Sequence, residues 1–302
     1  MSLKRVVIVE PSGFCAGVRR AVELVERALA DYGAPLYCYR ELVHNRQVVD
    51  DLAARGVVFV NSLDDVPEGA RVVFSAHGVA PDHYEAAAKR GLEVIDATCP
   101  FVSKIHAKVR QFTADGCHVF LVGHRGHDEV NGILGEAPGH VTVIENVAEA
   151  EAVCVPDATA VAVVTQTTLS LSEAEQTIAA LHRRFPALQA LPKSDICYAT
   201  RNRQAAVLKL VELTDAVLVL GAKNSSNTNR LVEVARAAGA RAGLISTVAD
   251  LDAFDWEGVE AVGVTAGAST PESFIQEIVG VLVQRGAGEV ERVCLTKEAV
   301  RF

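Results

Sequence analysis

Cys15, Cys99 and Cys197 each stand where a run of strand-forming residues gives way to a helical pattern. Val6-Val7-Ile8-Val9 leads through Pro11-Ser12-Gly13-Phe14 to Cys15. Leu92-Glu93-Val94-Ile95-Asp96-Ala97-Thr98 leads to Cys99, and Ser194-Asp195-Ile196 leads to Cys197. The helices expected behind them run over 18–32, 102–114 and 203–213. The free N–H groups of a helix start stabilise a thiolate, so each position suits a ligating sulfur. Three equivalent thiolates point to a shared metal centre rather than three separate packing roles. Without a fourth protein ligand they can hold zinc with a water, or a [4Fe-4S] cluster with one open iron. The spacing leaves both open. Thiolates suit either metal, and the C-x-x-C pairs of structural zinc sites are absent. An open coordination position is where a substrate would bind. Cys38, Cys117, Cys154 and Cys294 lie within or beside apolar runs, lack repeat partners, and read as small buried hydrophobes.

A second set of side chains gathers at the far ends of other strand-like runs. His44 follows Glu41-Leu42-Val43, His77 follows Ser75-Ala76, and His127 lies in Gly123-His124-Arg125-Gly126-His127-Asp128-Glu129. Ser225, Ser226 and Asn227 follow Gly221-Ala222-Lys223-Asn224, and Ser269 closes Thr265-Ala266-Gly267-Ala268. A lone histidine is more often structural, but this set combines imidazole, hydroxyl and amide donors at helix starts, which can hold phosphate without clustered lysines. His106, His118, His124 and His140 are less regularly placed and are assigned structural or surface roles. Glu129 follows a histidine-rich turn and could relay a proton, although its position reads more readily as an exposed carboxylate at a helix N-terminus. Thr167 and Thr168 read as ordinary β-branched strand residues or as a helix cap before Ser172-Glu173-Ala174-Glu175.

The elements that must position these groups form a threefold repeat. In each round a cysteine opens a helix, a strand ends in a polar cluster, another helix follows, and a later strand ends in small, hydroxylic or imidazole residues before a last helix. Alternating strands and helices of this kind specify an α/β fold built on parallel sheets. The expected architecture is three similar α/β units in pseudo-threefold arrangement about the metal centre. The boundaries are 16–98, 99–193 and 194–302, with the N-terminal strand 1–15 joined to the third unit. Ligands bind beyond the carboxyl ends of strands in open parallel sheets, which is where every polar cluster falls. The proline-bearing stretch 186–192 is the nearest approach to a hinge.

Composition narrows the partners. The 302 residues are half hydrophobic, enough for a substantial core. A formal charge of -9 argues against a nucleic-acid binder. No apolar run approaches a membrane span, and no secretory leader precedes the first strand, so the expected location is the cytoplasm. Seven scattered cysteines do not make a disulfide framework. No Gly-x-Gly-x-x-Gly fingerprint marks a dinucleotide site.

These motifs resemble the 4-hydroxy-3-methylbut-2-enyl diphosphate reductase family, the last enzyme of the non-mevalonate isoprenoid pathway. The carriers are Gly13-Phe14-Cys15-Ala16-Gly17-Val18, Val43-His44-Asn45, Ser75-Ala76-His77-Gly78-Val79, Asp96-Ala97-Thr98-Cys99-Pro100 and Gly126-His127-Asp128-Glu129-Val130. They continue through Thr165-Gln166-Thr167-Thr168-Leu169-Ser170, Asp195-Ile196-Cys197-Tyr198-Ala199-Thr200, Lys223-Asn224-Ser225-Ser226-Asn227 and Thr265-Ala266-Gly267-Ala268-Ser269. The resemblance implies an iron-sulfur oxidoreductase with one [4Fe-4S] cluster held by Cys15, Cys99 and Cys197, its fourth iron open to the substrate hydroxyl. It assigns the diphosphate to His44, His77, Ser225, Ser226, Asn227 and Ser269, with His127 and Thr168 in the same cavity. It makes Glu129 the proton source and Thr167 the hydroxyl that positions the substrate alcohol. It also implies a ferredoxin- or flavodoxin-like electron donor. Two positions depart from the family's habit: Asp128 stands where proline is frequent, and Arg201 where a smaller residue is usual. Quinolinate synthase, which also draws three cysteines from three α/β units, lacks the diphosphate motifs. An iron-sulfur sensor would leave the polar shell unexplained.

Overall fold

The computed structural model describes residues 3–155, 160–190 and 195–302. Among them the chain makes two compact bodies. One comprises Met1–Val18, His44–Val48 and Tyr198–Arg301; the other comprises Arg19–Val43 and Val49–Cys197, with Phe302.

The opening strand β1 (Arg5–Glu10) is followed by helix α1 (Ala16–Tyr32). A first four-stranded sheet, in the order β3-β2-β4-β5, is built from β2 (Leu36–Tyr39), β3 (Val57–Val60), β4 (Arg71–Phe74) and β5 (Glu93–Asp96). Between them lie α2 (Arg46–Ala54) and α3 (Pro81–Lys89). After α4 (Pro100–Ala114) comes a second sheet, β7-β6-β8-β9, from β6 (His118–Val122), β7 (Val141–Ile144), β8 (Val161–Thr165) and β9 (Gln189–Ala190). Its helices are α5 (Asp128–Leu134), α6 (Val147–Ala152) and α7 (Leu171–Arg184). After α8 (Tyr198–Leu213) the third sheet takes β10 (Ala216–Leu220), β11 (Arg241–Ile245), β12 (Ala261–Ala266) and β13 (Glu289–Cys294), with α9 (Ser226–Ala237) and α10 (Glu272–Gln284). Its order is β11-β10-β12-β1-β13, so the first strand of the chain completes the last sheet. All strand pairs are parallel.

Strand burial follows from helices covering both faces. In β1, Val6 and Ile8 pack with Phe274, Ile275 and Ile278 of α10, while Val7 and Val9 face the opposite cluster with Val207, Leu210 and Leu231. The second sheet alternates likewise: Val119 and Leu121 enter one cluster, Phe120 and Val122 the other. The central strands β8 and β10 therefore read as hydrophobic runs buried along their whole length, whereas the edge strand β13 (Glu289–Cys294) is mostly exposed and charged.

The architecture is the expected one: three parallel-sheet α/β units, in each of which a cysteine immediately precedes a helix. Several details differ. The helices begin at Ala16, Pro100 and Tyr198, a few residues ahead of the expected starts at 18, 102 and 203. No strand runs into Cys197: residues 195–197 form a bend. There the Asp195 carboxylate accepts the Thr165 N–H at 3.1 Å and Cys197 N–H bonds the Thr167 carbonyl at 3.3 Å, taking the place of a ladder. Ser194, residues 191–192 of the expected hinge and the boundary at 193/194 lie outside the described residues. Cys38 and Cys117 are buried as expected, but Cys154 and Cys294 are exposed. Cys294 ends β13, which among the described residues is an edge strand of its sheet. Among the described residues no helix is long and apolar enough to cross a membrane.

Candidate active site

In the body that contains β1, the segment Pro11–Cys15 is held by the loop beyond β12. Gly13 N–H donates to the Ala266 carbonyl at 3.3 Å and Cys15 N–H to the Ala268 carbonyl at 3.1 Å. Gly13 has φ +68°, and a Cβ there would stand 3.0 Å from the Thr270 carbonyl oxygen, so the turn needs glycine. Cys15 Sγ accepts the Val18 N–H at 3.5 Å, in the first turn of α1. Tyr198 Oη accepts the next amide, Ala16 N–H, at 3.4 Å.

The same loop gathers the hydroxyl and amide residues. Asn227 Oδ1 accepts the Ala268 N–H at 2.9 Å, and Ser269 Oγ donates to the His44 carbonyl at 3.0 Å. Ser225 caps α9, accepting the Thr228 N–H at 3.3 Å, which leaves its hydroxyl proton to donate elsewhere. Ser225, Asn227 and Ser269 are buried and Ser226 is half-buried at the first turn of α9. His44 is followed by Asn45, whose Oδ1 accepts the Gln47 and Val48 amides and starts α2. Cys15, His44, Ser225, Ser226, Asn227 and Ser269 thus share one body, in which two adjacent loop residues, Ala268 and Ser269, join Cys15, Asn227 and His44.

The other body holds the remaining expected residues. Glu129 is buried, contrary to the surface position its helix start suggests. Thr167 N–H donates to its Oε1 at 2.7 Å and Thr167 Oγ1–H to its Oε2 at 2.8 Å. Burial pushes the Glu129 carboxyl up to about 7, against the two Thr167 bonds and the charge of His106, which pull it down. His127 caps α5 with Nδ1 accepting the Glu129 N–H at 3.1 Å, so the neutral ring carries its proton on Nε2. The His77 and His127 rings meet edge to face with centroids 5.7 Å apart. Thr167 is buried in this cluster and does not cap α7; Ser170 does. Thr168 Oγ1 accepts from Gln166 Nε2 at 3.1 Å. Cys99 is the N-cap of α4, and the Thr167 carbonyl that receives Cys197 N–H ties the third cysteine to the Glu129–Thr167 pair.

The pairing of His106 with Glu136 carried no signal in the sequence. His106, assigned a structural role, is buried, with Nδ1 2.6 Å from Glu136. Burial raises the Glu136 carboxyl, yet the bonds from His106 and Arg110 hold it below the usual carboxylate range. Asp128 forms a 3.2 Å ion pair with Arg40, and Arg201 is exposed on α8.

The cysteines divide by environment. Cys15, Cys99 and Cys197 are half-buried and all at helix starts, whereas burial among apolar strand residues pushes the Cys38 thiol far up. That donor set fits a thiolate-bound metal centre.

The family model described as LytB protein matches residues 6–283. A Rhodococcus opacus (strain B4) protein named 4-hydroxy-3-methylbut-2-enyl diphosphate reductase is 49% identical over 300 residues, covering 99% of this chain and 89% of its own. A protein of the same name from Mycobacterium sp. (strain JLS) is 50% identical over 303 residues, covering 100% and 91%. The solved structure of the E-1-hydroxy-2-methyl-but-2-enyl-4-diphosphate reductase of Plasmodium falciparum superposes with a TM-score of 0.96 at 35% identity, covering 99% of this chain and 95% of that one. A second, described as the terminal enzyme of the non-mevalonate pathway, gives 0.67 at 33% identity, covering 93% and 100%. With the match running through all three sheets and every loop that carries a candidate residue, the chain belongs to the LytB protein family.

Proposed function

We propose that the chain converts 4-hydroxy-3-methylbut-2-enyl diphosphate to isopentenyl and dimethylallyl diphosphates by reductive dehydroxylation, the last step of the non-mevalonate isoprenoid pathway. Each turnover consumes two electrons and two protons: the allylic C–O bond breaks, the hydroxyl leaves as water, and one proton is added to the allyl carbon framework. Cys15, Cys99 and Cys197 hold one [4Fe-4S] cluster with one iron open, a set drawn from the N-terminal strand and from the segments 99–193 and 194–302. When bound, the cluster supplies the electrons and a Lewis-acidic iron for the C–O cleavage.

The chain's own residues bind, orient and protonate. The Ser225 and Ser226 hydroxyls, the Asn227 amide, Ser269 and the imidazoles of His44 and His77 receive the diphosphate at the start of α9 and the neighbouring strand ends. Thr168 and the Nε2–H of His127 line the same cavity. Glu129 keeps its proton near neutrality and passes it toward the leaving hydroxyl through Thr167 Oγ1, in a site where bulk water is excluded. Electrons come from a ferredoxin- or flavodoxin-like protein, and the reaction is placed in the cytoplasm.

The observation that carries this reading is the buried Glu129, gripped by Thr167 at both oxygens, with its N–H bonded to His127, whose ring meets that of His77. Glu129→Gln keeps the shape and an oxygen for the Thr167 N–H but removes the transferable proton. With iron and sulfide content unchanged, turnover should fall by about 100-fold or more; near-parental turnover would remove Glu129 from the proton path.

A further inference from the structure

Arg203 is the largest fully buried side chain among the described residues, with no surface exposed. Burying a guanidinium is costly unless its donors are met, so its partners show what it is there to hold. Nε and Nη2 both donate to the Gly13 carbonyl, at 3.2 and 2.7 Å. Nη1 donates to the Ala199 carbonyl at 3.1 Å and to Glu298 Oε1 at 3.1 Å. Two of its three nitrogens therefore converge on one peptide oxygen, two residues before Cys15, in the turn where Gly13 sits at φ +68°.

The counter-ion comes from the tail. After β13 the chain stays beside β1, Leu295 N–H bonding the Glu10 carbonyl at 2.9 Å, and three residues later Glu298 reaches Arg203. Asn202 Nδ2 steadies the same carboxylate oxygen at 3.2 Å. Glu298 is 14% exposed in its side chain, and it lies beyond residue 283, where the match to the family model ends. The backbone bonds from Gly13 and Cys15 to the loop beyond β12 fix one side of the Cys15 turn; Arg203 is the side-chain hold on the other.

We infer that Arg203 and Glu298 are a positioning pair for the Cys15 turn, which makes the C-terminal tail a working part of the metal centre. Without the carboxylate, the guanidinium is drawn toward solvent and its fork on Gly13 loosens, freeing the cysteine beyond it. The inference rests on Cys15 being a cluster ligand, and the test separates the two claims.

The experiment compares the parent with Glu298→Gln, Glu298→Asp and Arg203→Lys in two ways. Hydrogen exchange on metal-free protein reads the turn directly. Exchange across residues 13–18 should speed up by about tenfold in Glu298→Gln, with β10 and β12 as protected as in the parent. Glu298→Asp should recover part of the protection, and Arg203→Lys, which cannot fork two donors onto one oxygen, should not. On anaerobically reconstituted protein, iron loss to a chelator should quicken in the same order. Parent-like exchange at 13–18, an equal rise throughout the sheet, or parent-like iron retention in a loosened variant would overturn the positioning role. Failure of the parent itself to take up iron would count against the cluster reading instead, while the exchange comparison would still decide the positioning claim.

Discussion

Glu129 owes its proton affinity to burial, and two residues far from it in the chain work against that rise. Thr167 closes over its carboxylate from 38 residues away, and His106 supplies an opposing charge. A carboxyl raised to about 7 from an ordinary 4.5 binds a proton in the folded protein that the unfolded chain has released. Its contribution to stability is complete below the ordinary value and is lost as pH rises through about 7. Metal-free protein should therefore lose roughly 1–3 kcal/mol between pH 5 and 8 that Glu129→Gln does not lose, read by denaturant titration at each pH. Equal slopes in both proteins would mean that Glu129 is already ionised at pH 5. In turnover the same group predicts a falling limb above pH 7. The chain read on its own marked Glu129 as an exposed helix-start carboxylate, because nothing local shows what will cover it. The cysteines and hydroxyl clusters were legible because their chemistry sits at strand ends, where parallel α/β folds leave room for it. Arg203 was not, since a helical arginine looks like surface until Gly13 and Glu298 are brought to it.

At the scale of the elements, the repeated cysteine-helix junction could be read from the chain, but how each is held could not. Cys15 hangs from backbone bonds to the loop beyond β12, Cys99 caps α4, and Cys197 follows a bend pinned by Asp195. The first of these depends on a left-handed glycine. Gly13→Ala must strain φ and meet the Thr270 carbonyl, at a cost of about 1–3 kcal/mol. Denaturant unfolding of metal-free protein should show that loss, and exchange at 14–18 should rise more than in β1; an unchanged midpoint would mean the turn accommodates a side chain freely. Strand boundaries were legible wherever both faces are buried. The bend at 195–197 was not, because Ile196 and Cys197 are apolar enough to pass for a strand while Asp195 bonds sideways to Thr165.

For the whole molecule, the consequential feature is that β1 lies between β12 and β13, elements from the opposite end of the chain. The third sheet cannot close until the N-terminus joins it, so its formation waits on contacts of high sequence separation. Val7 is fully buried at the centre of that strand, and Val7→Asp places an unpaired charge there. The variant should lose more than about 3 kcal/mol, and protection should disappear from β10 and β12 as well as β1. Loss confined to β1 would show that the sheet stands without it. The whole assembly serves one reaction, and anaerobic turnover of 4-hydroxy-3-methylbut-2-enyl diphosphate with a strong artificial reductant, on protein assayed for iron and sulfide in the same preparation, tests that most directly. The account predicts both five-carbon diphosphates, at a rate that follows cluster content and vanishes when the cluster is removed. A full iron-sulfur complement with no product, or zinc in place of iron, would contradict it.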